Sequence, residues 1–419
     1  MQRRQFEAYL DKVFDFSSRV AAMPEGRPYA RHSWRKVWDA VFLGAAVQIP
    51  NMHRLEAECR QGVLAQRIGA LSEDTMGYAL ERQDPLLAFA LGCEVARRLK
   101  RNGVLRSEWA RGRLVAAVDG IEICSSLYRC CDACMEREIE HKVDGQKRKD
   151  TQYYHRIVAV VLVSTPFPVP LGIRFQKDGE TEVACAEALL RDLDRHLGRR
   201  FLDVVVGDAL YLQQGFVGVA ESLNLEWVIT LKENQPELLA EAERLTSQEG
   251  VEATLSNPQE EVQLWHAPEV YWPVADRSVR VVKTFRLRQE RRVQVVRDET
   301  GKKKKTKRTV QQESTNYYAS NLELSSIPAT FIHQLGQSRW QVDSEVFQTL
   351  TTQAHLKKPS VHRTCALVML TMIRVLAYTL SLVFYHRQVV SHARQGVPTF
   401  SETARHLAYL FLAPPPDSS

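Results

Sequence analysis

From Arg113 onward the chain alternates short apolar runs with amphipathic stretches. Leu114 to Val118 is an unbroken apolar run that ends in Asp119 and Gly120. Short apolar runs bounded by turn signals read as buried strands. Arg113–Ile123, Arg156–Ser164, Leu171–Gln176, Phe201–Gly207 and Glu226–Lys232 are therefore predicted strands, and Glu180–Leu197 and Gly215–Asn224 predicted helices. The run RIVAVVLVS is apolar on both faces and should be central in its sheet. Before Arg113 the spacing is helical. Trp34, Val37, Trp38, Val41, Phe42 and Ala45 make one apolar face, Pro50 and Asn51 break it, and Ser72 is a candidate N-cap. Short helices joined by tight turns fit a helix-turn-helix and equally an ordinary bundle.

From Val251 to Asn321 the pattern is β again. Val279 to Asp298 reads as two strands around a polar turn, followed by a lysine-rich loop, Gly301 to Arg308. After Ile327 helical spacing returns, with Val342, Val346 and Leu350 as an i, i+4, i+8 stripe. Cys365 to Phe384 is apolar enough to span a membrane, but Arg374 sits at its centre. A charge at mid-bilayer is expensive, so a buried core helix is expected, with no membrane partner.

A chain of 419 residues exceeds one small core, so two or three domains are expected. The alternation makes the fold class α/β layered. There is no GxGxxG and no GxxxxGK[ST], which argues against dinucleotide or P-loop chemistry. A net charge of +6 permits a nucleic-acid partner without demanding one. The distribution says more. Arg280, Lys283, Arg286, Arg288, Arg291, Arg292, Arg297 and Lys302 to Lys305 cluster between residues 279 and 308. Such an arm suits tracking phosphates, because each neutralised phosphate releases counterions. The chain opens without an apolar leader, which points to the cytoplasm and to reduced cysteines.

Phe201–Tyr211 repeats the first strand's pattern and delivers Asp208 after Gly207. A lone strand-end Asp is usually a cap or an ion-pair partner. Two of them, with a third carboxylate on a helix, are what a two-metal phosphoryl-transfer site needs. Asp343 borders the buried stripe, one helical turn after Arg339. Glu345 lies about 200° round from Asp343 and points elsewhere. The stretch Cys124 to His141 holds one CxxC, Cys131 and Cys134. Cys124, Cys130, His141 or His155 would have to complete a zinc site, so unligated thiols are the favoured reading and zinc the lesser one.

The texts VDGIEI, YYHRIVAVVLV, PLGIRFQKDGETEVACAEALL, VVGDALYLQQGF, WVITLKENQPEL and SRWQVDSEVFQTLTTQAHL resemble bacterial insertion-sequence transposases of the DDE class. The likeness runs from about Arg31 to Phe384. It implies a ribonuclease-H-like mixed sheet flanked by helices. It implies a helical DNA-binding domain over 1–108, a catalytic domain over 109–248 and 327–390, a β-rich insertion over 249–326, and a C-terminal helix and disordered tail over 391–419. Asp119, Asp208 and Asp343 would be catalytic ligands of two Mg²⁺ ions, with Mn²⁺ as the alternative ion. Arg339, Lys232, Arg286, Arg288, Arg292, Lys302, Lys303, Lys304 and Lys305 would contact double-stranded DNA, both terminal repeats and target, with a homodimer formed on it. The implied activity is cleavage of element ends and transfer of the 3′-hydroxyl into target DNA. Three positions depart from the family helix. Gly336 replaces Tyr, Asp343 replaces Glu, and Leu350 or Thr351 falls where Lys is usual. A weakened or inactive DNA-binding descendant is the alternative, and a stand-alone nuclease the third reading.

Overall fold

The computed structural model describes residues 4–129, 131–143, 146–297, 303–323, 327–358, 360–393 and 396–412. The expected disordered tail, 413–419, lies outside them. In chain order come α1 (Arg4–Phe14), α2 (Phe16–Ala21), α3 (Trp34–Ala46), α4 (Met52–Gln61), α5 (Glu73–Glu81) and α6 (Pro85–Arg101). β1 (Val115–Ser126), β2 (Met135–Val143), β3 (Gln146–Leu162) and β4 (Val169–Phe175) follow, then α7 (Glu182–Leu197), β5 (Val204–Gly207), α8 (Gln214–Ser222), β6 (Glu226–Leu231) and α9 (Pro236–Gln248). β7 (Ala253–Asn257), β8 (Glu260–Trp272), β9 (Arg277–Arg297) and β10 (Lys303–Ser320) lead to α10 (Ala329–Ser338), α11 (Gln348–Thr352), α12 (Thr364–Phe384) and α13 (Phe400–Phe411). The chain divides into a first unit, Met1–Phe201 with Trp340–Ser419, and a second unit, Leu202–Arg339.

In the first unit β3 is central, as its two-faced apolarity requires. Its Ile157–Leu162 half pairs antiparallel with β1 on one side and β4 on the other, and these six residues are at most 2% exposed. Its Gln146–Tyr154 half pairs with β2. β2 is charged nearly throughout, which hid it from hydrophobic patterning. α7 covers β3 and β4, and α12 packs on α3, α5 and α6. In the apolar window of the helix from Thr364 onward, 89% is buried inside the protein, as expected of a core helix. Arg374 is satisfied there without leaving the core. Its guanidinium donates to the carbonyls of Lys358 (2.9 Å), His355 (3.1 Å) and Pro50 (3.3 Å). Residues 62–72 join α4 to α5, a long link, whereas residues 82–84 join α5 to α6 within the three- or four-residue span of a helix-turn-helix turn. Ser72 does cap α5, accepting from Thr75 N.

In the second unit β5 and β6 are parallel, and β6 continues antiparallel into β10, β9, β8 and β7. Here the expectation of two short strands around a polar turn fails. β9 is one 21-residue strand, and its partner β10 starts inside the lysine run. The polar residues expected to form a turn lie inside the strand, where β10 pairs with them: Gln289 is opposite Gln311 and Glu290 opposite Val310. β8 stops at Glu260↔Arg288, whereas β9 and β10 stay paired to Arg297↔Lys303. The last stretch is a two-stranded ribbon about 30 Å long.

Candidate active site

Asp119 does not end its strand. β1 runs on to Ser126 because β3 remains long enough to pair with it. What ends at Asp119 is burial: Val115–Val118 are fully buried and the next four residues only partly. Asp119, opposite Ala159, accepts the Gly120 N–H through Oδ1 at 2.8 Å, which orients the carboxylate. At Gly120 the chain passes close to the carboxylate of Glu182. A Cβ there would stand 2.6 Å from Oε1 of Glu182, the first residue of α7, which Arg156 holds by an ion pair. Successive residues face opposite sides of a sheet, so Glu182 lies across the sheet from the Asp119 side chain and does not belong to the same constellation.

Asp343 lies in Val342–Phe347, which is π-helical rather than α-helical. This segment packs against β1 within the first unit. The predicted stripe is present: Val342, Val346 and Leu350 are at most 1% exposed. Phe347 is buried beside Val346, and the wider π turn lets both enter the core. Asp343, Ser344 and Glu345 form the exposed side. A π turn rotates less per residue than an α turn, which puts Asp343 and Glu345 about 165° apart. Partial burial raises the Glu345 carboxyl above its ordinary value, and burial, with a smaller contribution from Glu345, raises the Tyr378 phenol. π-turns recur at functional sites, and helical periodicity could not reveal this one.

Asp208 belongs to the second unit. It follows β5 and caps the short turn Ala209–Tyr211, accepting from Leu210 N at 2.9 Å. Two residues that sequence reasoning left without a role brace this turn. Asn234 donates to the Ala209 carbonyl at 2.6 Å and Gln235 to the Leu212 carbonyl at 2.8 Å. Both lie in the text WVITLKENQPEL, so the signal was the paired amides directly after a strand.

A family profile described as the transposase DDE domain matches residues 118–380. This chain is a DDE-domain transposase. No curated protein matches it. A cryo-EM structure of a piggyBac transposase synaptic complex with hairpin DNA is similar over 98% of this chain and 79% of that one, at 12% identity and a TM-score of 0.44. The fold is mixed α/β: β1, β3 and β4 pair antiparallel in one unit, and β5 and β6 pair parallel in the other.

The transposase's cations divide by position. Lys232 and Arg288 are exposed. Arg286 is half-buried, 3.5 Å from Glu260, and Arg339 is half-buried just after α10. Arg280 leaves the expected arm altogether. It is 5% exposed and donates to His266 Nε2 and to the Ile327 carbonyl, both at 2.7 Å. Lys283 lies over the Trp265 ring. Along the ribbon, register sets Arg292 opposite Arg308, Lys303 opposite Arg297, and Lys304 and Lys305 opposite Val296 and Val295. Lys302 falls outside the described residues. His355 is structural: its ring bonds the Gln48 carbonyl at 3.0 Å.

Proposed function

We propose that this transposase cleaves DNA at the ends of its element and joins the freed 3′-hydroxyl to target DNA, with Asp119, Asp208 and Asp343 as ligands of two Mg²⁺ ions. The observation that carries the reading is the packing of the Asp343 segment against β1, the strand of Asp119. Asp208 joins them on the family text around it and on its own braced, oriented carboxylate. The donor set fits: carboxylate oxygens on rigid elements are the hard ligands Mg²⁺ prefers. When bound, paired ions activate the attacking oxygen and stabilise the leaving one in an in-line displacement at phosphorus. Backbone N–H groups orient Asp119 and Asp208, so less ordering remains for the moment of binding. Arg339 is suited to a two-point hold on a phosphate near Asp343.

The β9–β10 ribbon serves as a DNA arm. Register sets Arg292 opposite Arg308 and Arg297 opposite Lys303 along it, and a run of cations of this kind suits a phosphate backbone. The helices of residues 1–108 add a groove of about 620 Å³ lined in part by Arg31, His32, Arg60 and Tyr78, suited to a phosphate strand. A homodimer bound to the DNA ends is part of this proposal.

Full-length protein incubated with DNA carrying the inverted ends that flank its gene should give Mg²⁺-dependent 3′-end cleavage and a strand-transfer product. Tight DNA binding with no cleavage in Mg²⁺ or Mn²⁺ would instead favour an inactive DNA-binding descendant. The shorter Asp343 acid and the absence of Lys at 350 or 351 are the observations on that side.

A further inference from the structure

The cysteine stretch, read from the sequence as unligated thiols with zinc the lesser reading, holds a group with metal-ligand geometry. Cys131, Cys134 and His155 converge, with their ligand atoms within 4.8 Å of one another. All three residues are buried, at 6%, 5% and 2% exposure. The Sγ atoms of Cys131 and Cys134 are 4.0 Å apart, and His155 Nε2 is 3.1 Å from the first and 3.4 Å from the second. A disulfide would need about 2.05 Å between the sulfurs. Tetrahedral zinc, with Zn–S of about 2.3 Å and Zn–N of about 2.1 Å, separates its ligands by about 3.5 to 3.8 Å. The triangle is within about half an ångström of that.

The surroundings support a ligand role. Cys131–Cys134 is a tight turn in which Cys134 N donates to the Cys131 carbonyl and Cys131 N donates to Cys134 Sγ, both at 3.3 Å. A backbone N–H on sulfur favours the thiolate a metal requires. The His155 ring is set edge-on against Phe175, which fixes its direction. Sheet register brings a fourth candidate, Cys124, alongside. Cys124 on β1 is the direct cross-strand partner of His155. Directly opposed residues present their side chains on the same face, with Cβ atoms about 5 Å apart. On the other side of β3, Met135 pairs with Tyr154, which leaves Cys134 level with His155. Cys124 and His155 thus sit side by side on β1 and β3, with Cys134 just before β2 and Cys131 in the loop that joins β1 to β2.

We propose that Cys131, Cys134, His155 and Cys124 bind a structural zinc ion that clamps the base of the β2–β3 hairpin. The hairpin needs such a clamp. Beyond Met135, β2 has no buried residue among those described, and its only partner strand is β3. A two-stranded hairpin without an apolar face is marginal by itself, and metal binding adds directly to folding free energy. The thiol protons leave to solvent as the thiolates bind.

The test uses the full chain purified without chelators. Elemental analysis should find about one zinc per chain, released by a mercurial thiol reagent and read with a chromogenic chelator. Cobalt exchanged into the wild-type protein should give the spectrum of a tetrahedral site, with sulfur-to-cobalt charge transfer of three-thiolate intensity. Cys124→Ser should lower that intensity by about a third, and Cys131→Ser and Cys134→Ser should lose the metal. On the wild-type protein, chelation should speed amide exchange across residues 131–155 and leave α12 unchanged. Zinc-free protein with a Cys131–Cys134 disulfide would overturn the site, as would full zinc retention in Cys131→Ser. An unchanged cobalt spectrum in Cys124→Ser would remove Cys124 from it.

Discussion

Gly336 on α10 and Tyr318 on β10 share one packing position. A Cβ at residue 336 would stand 2.8 Å from Cζ of the Tyr318 ring, with Cε1 and Cδ1 closer still. Tyr318 is 3% exposed, and its hydroxyl accepts from Gln337 Nε2 at 2.7 Å. The family's helix has Tyr where this chain has Gly336. Here an aromatic ring reaches that spot from the neighbouring strand. Gly336→Ala should therefore destabilise the second unit by about 1–3 kcal/mol, the usual cost of overpacking. Urea unfolding measures it. If the two positions compete for one space, Gly336→Ala combined with Tyr318→Ala should cost less than the sum of the single changes.

Acid should loosen the same unit. Burial lowers His333 to about 4, and burial with the nearby Arg280 lowers His266 to about 4, although Glu252 lies 3.3 Å from its Nδ1. Both folded values lie below the unfolded one near 6.5, so the unfolded chain takes up protons first. Stability is then full above pH 6.5 and falls toward pH 4, by up to about 1.4 kcal/mol per pH unit for each histidine. His333→Leu should remove about half of that slope. An unchanged slope in thermal melts from pH 7 to 4.5 would exclude His333 as a source.

Arg374 ties α12 to the carbonyls of His355 and Lys358 and to that of Pro50. Arg374→Met should cost about 3 kcal/mol or more, because it leaves buried acceptors without donors. Denaturant midpoints would show it, and a loss below about 1 kcal/mol would mean that water replaces the guanidinium.

Neutralising Arg292, Lys303, Lys304 and Lys305 together should flatten the salt dependence of DNA binding, by about 0.9 in the log–log slope for each lost phosphate contact. A slope equal to the parent's would leave the ribbon as solvated surface.

The parts of the fold built on apolar runs were legible in the sequence. β5 and the second half of β3 announced themselves by unbroken hydrophobicity, and the Val342, Val346, Leu350 stripe gave the buried face of its segment. What stayed hidden depended on partners far along the chain. β2 is a strand only because β3 pairs with it, and β9 runs through its polar middle because β10 accompanies it. The π turn at Asp343 answers to packing on β1 and leaves no periodic trace. Cys134 and His155 meet by sheet register across 21 residues, a distance that no spacing rule for metal ligands covers. Arg280 carried the same charge as its neighbours in the sequence and differs only in facing the core.

The assignment of the third acid is tested most directly by three variants assayed side by side for Mg²⁺-dependent cleavage and strand transfer, with DNA binding measured in parallel. Asp343→Asn keeps size and removes charge, so it should abolish both reactions and leave binding near the parent's. Asp343→Glu, with the longer acid usual in the family, should retain activity or raise it. Glu345→Gln should change little, since it lies about 165° round the π turn from Asp343. Loss of strand transfer in Glu345→Gln with activity retained in Asp343→Asn would contradict the account.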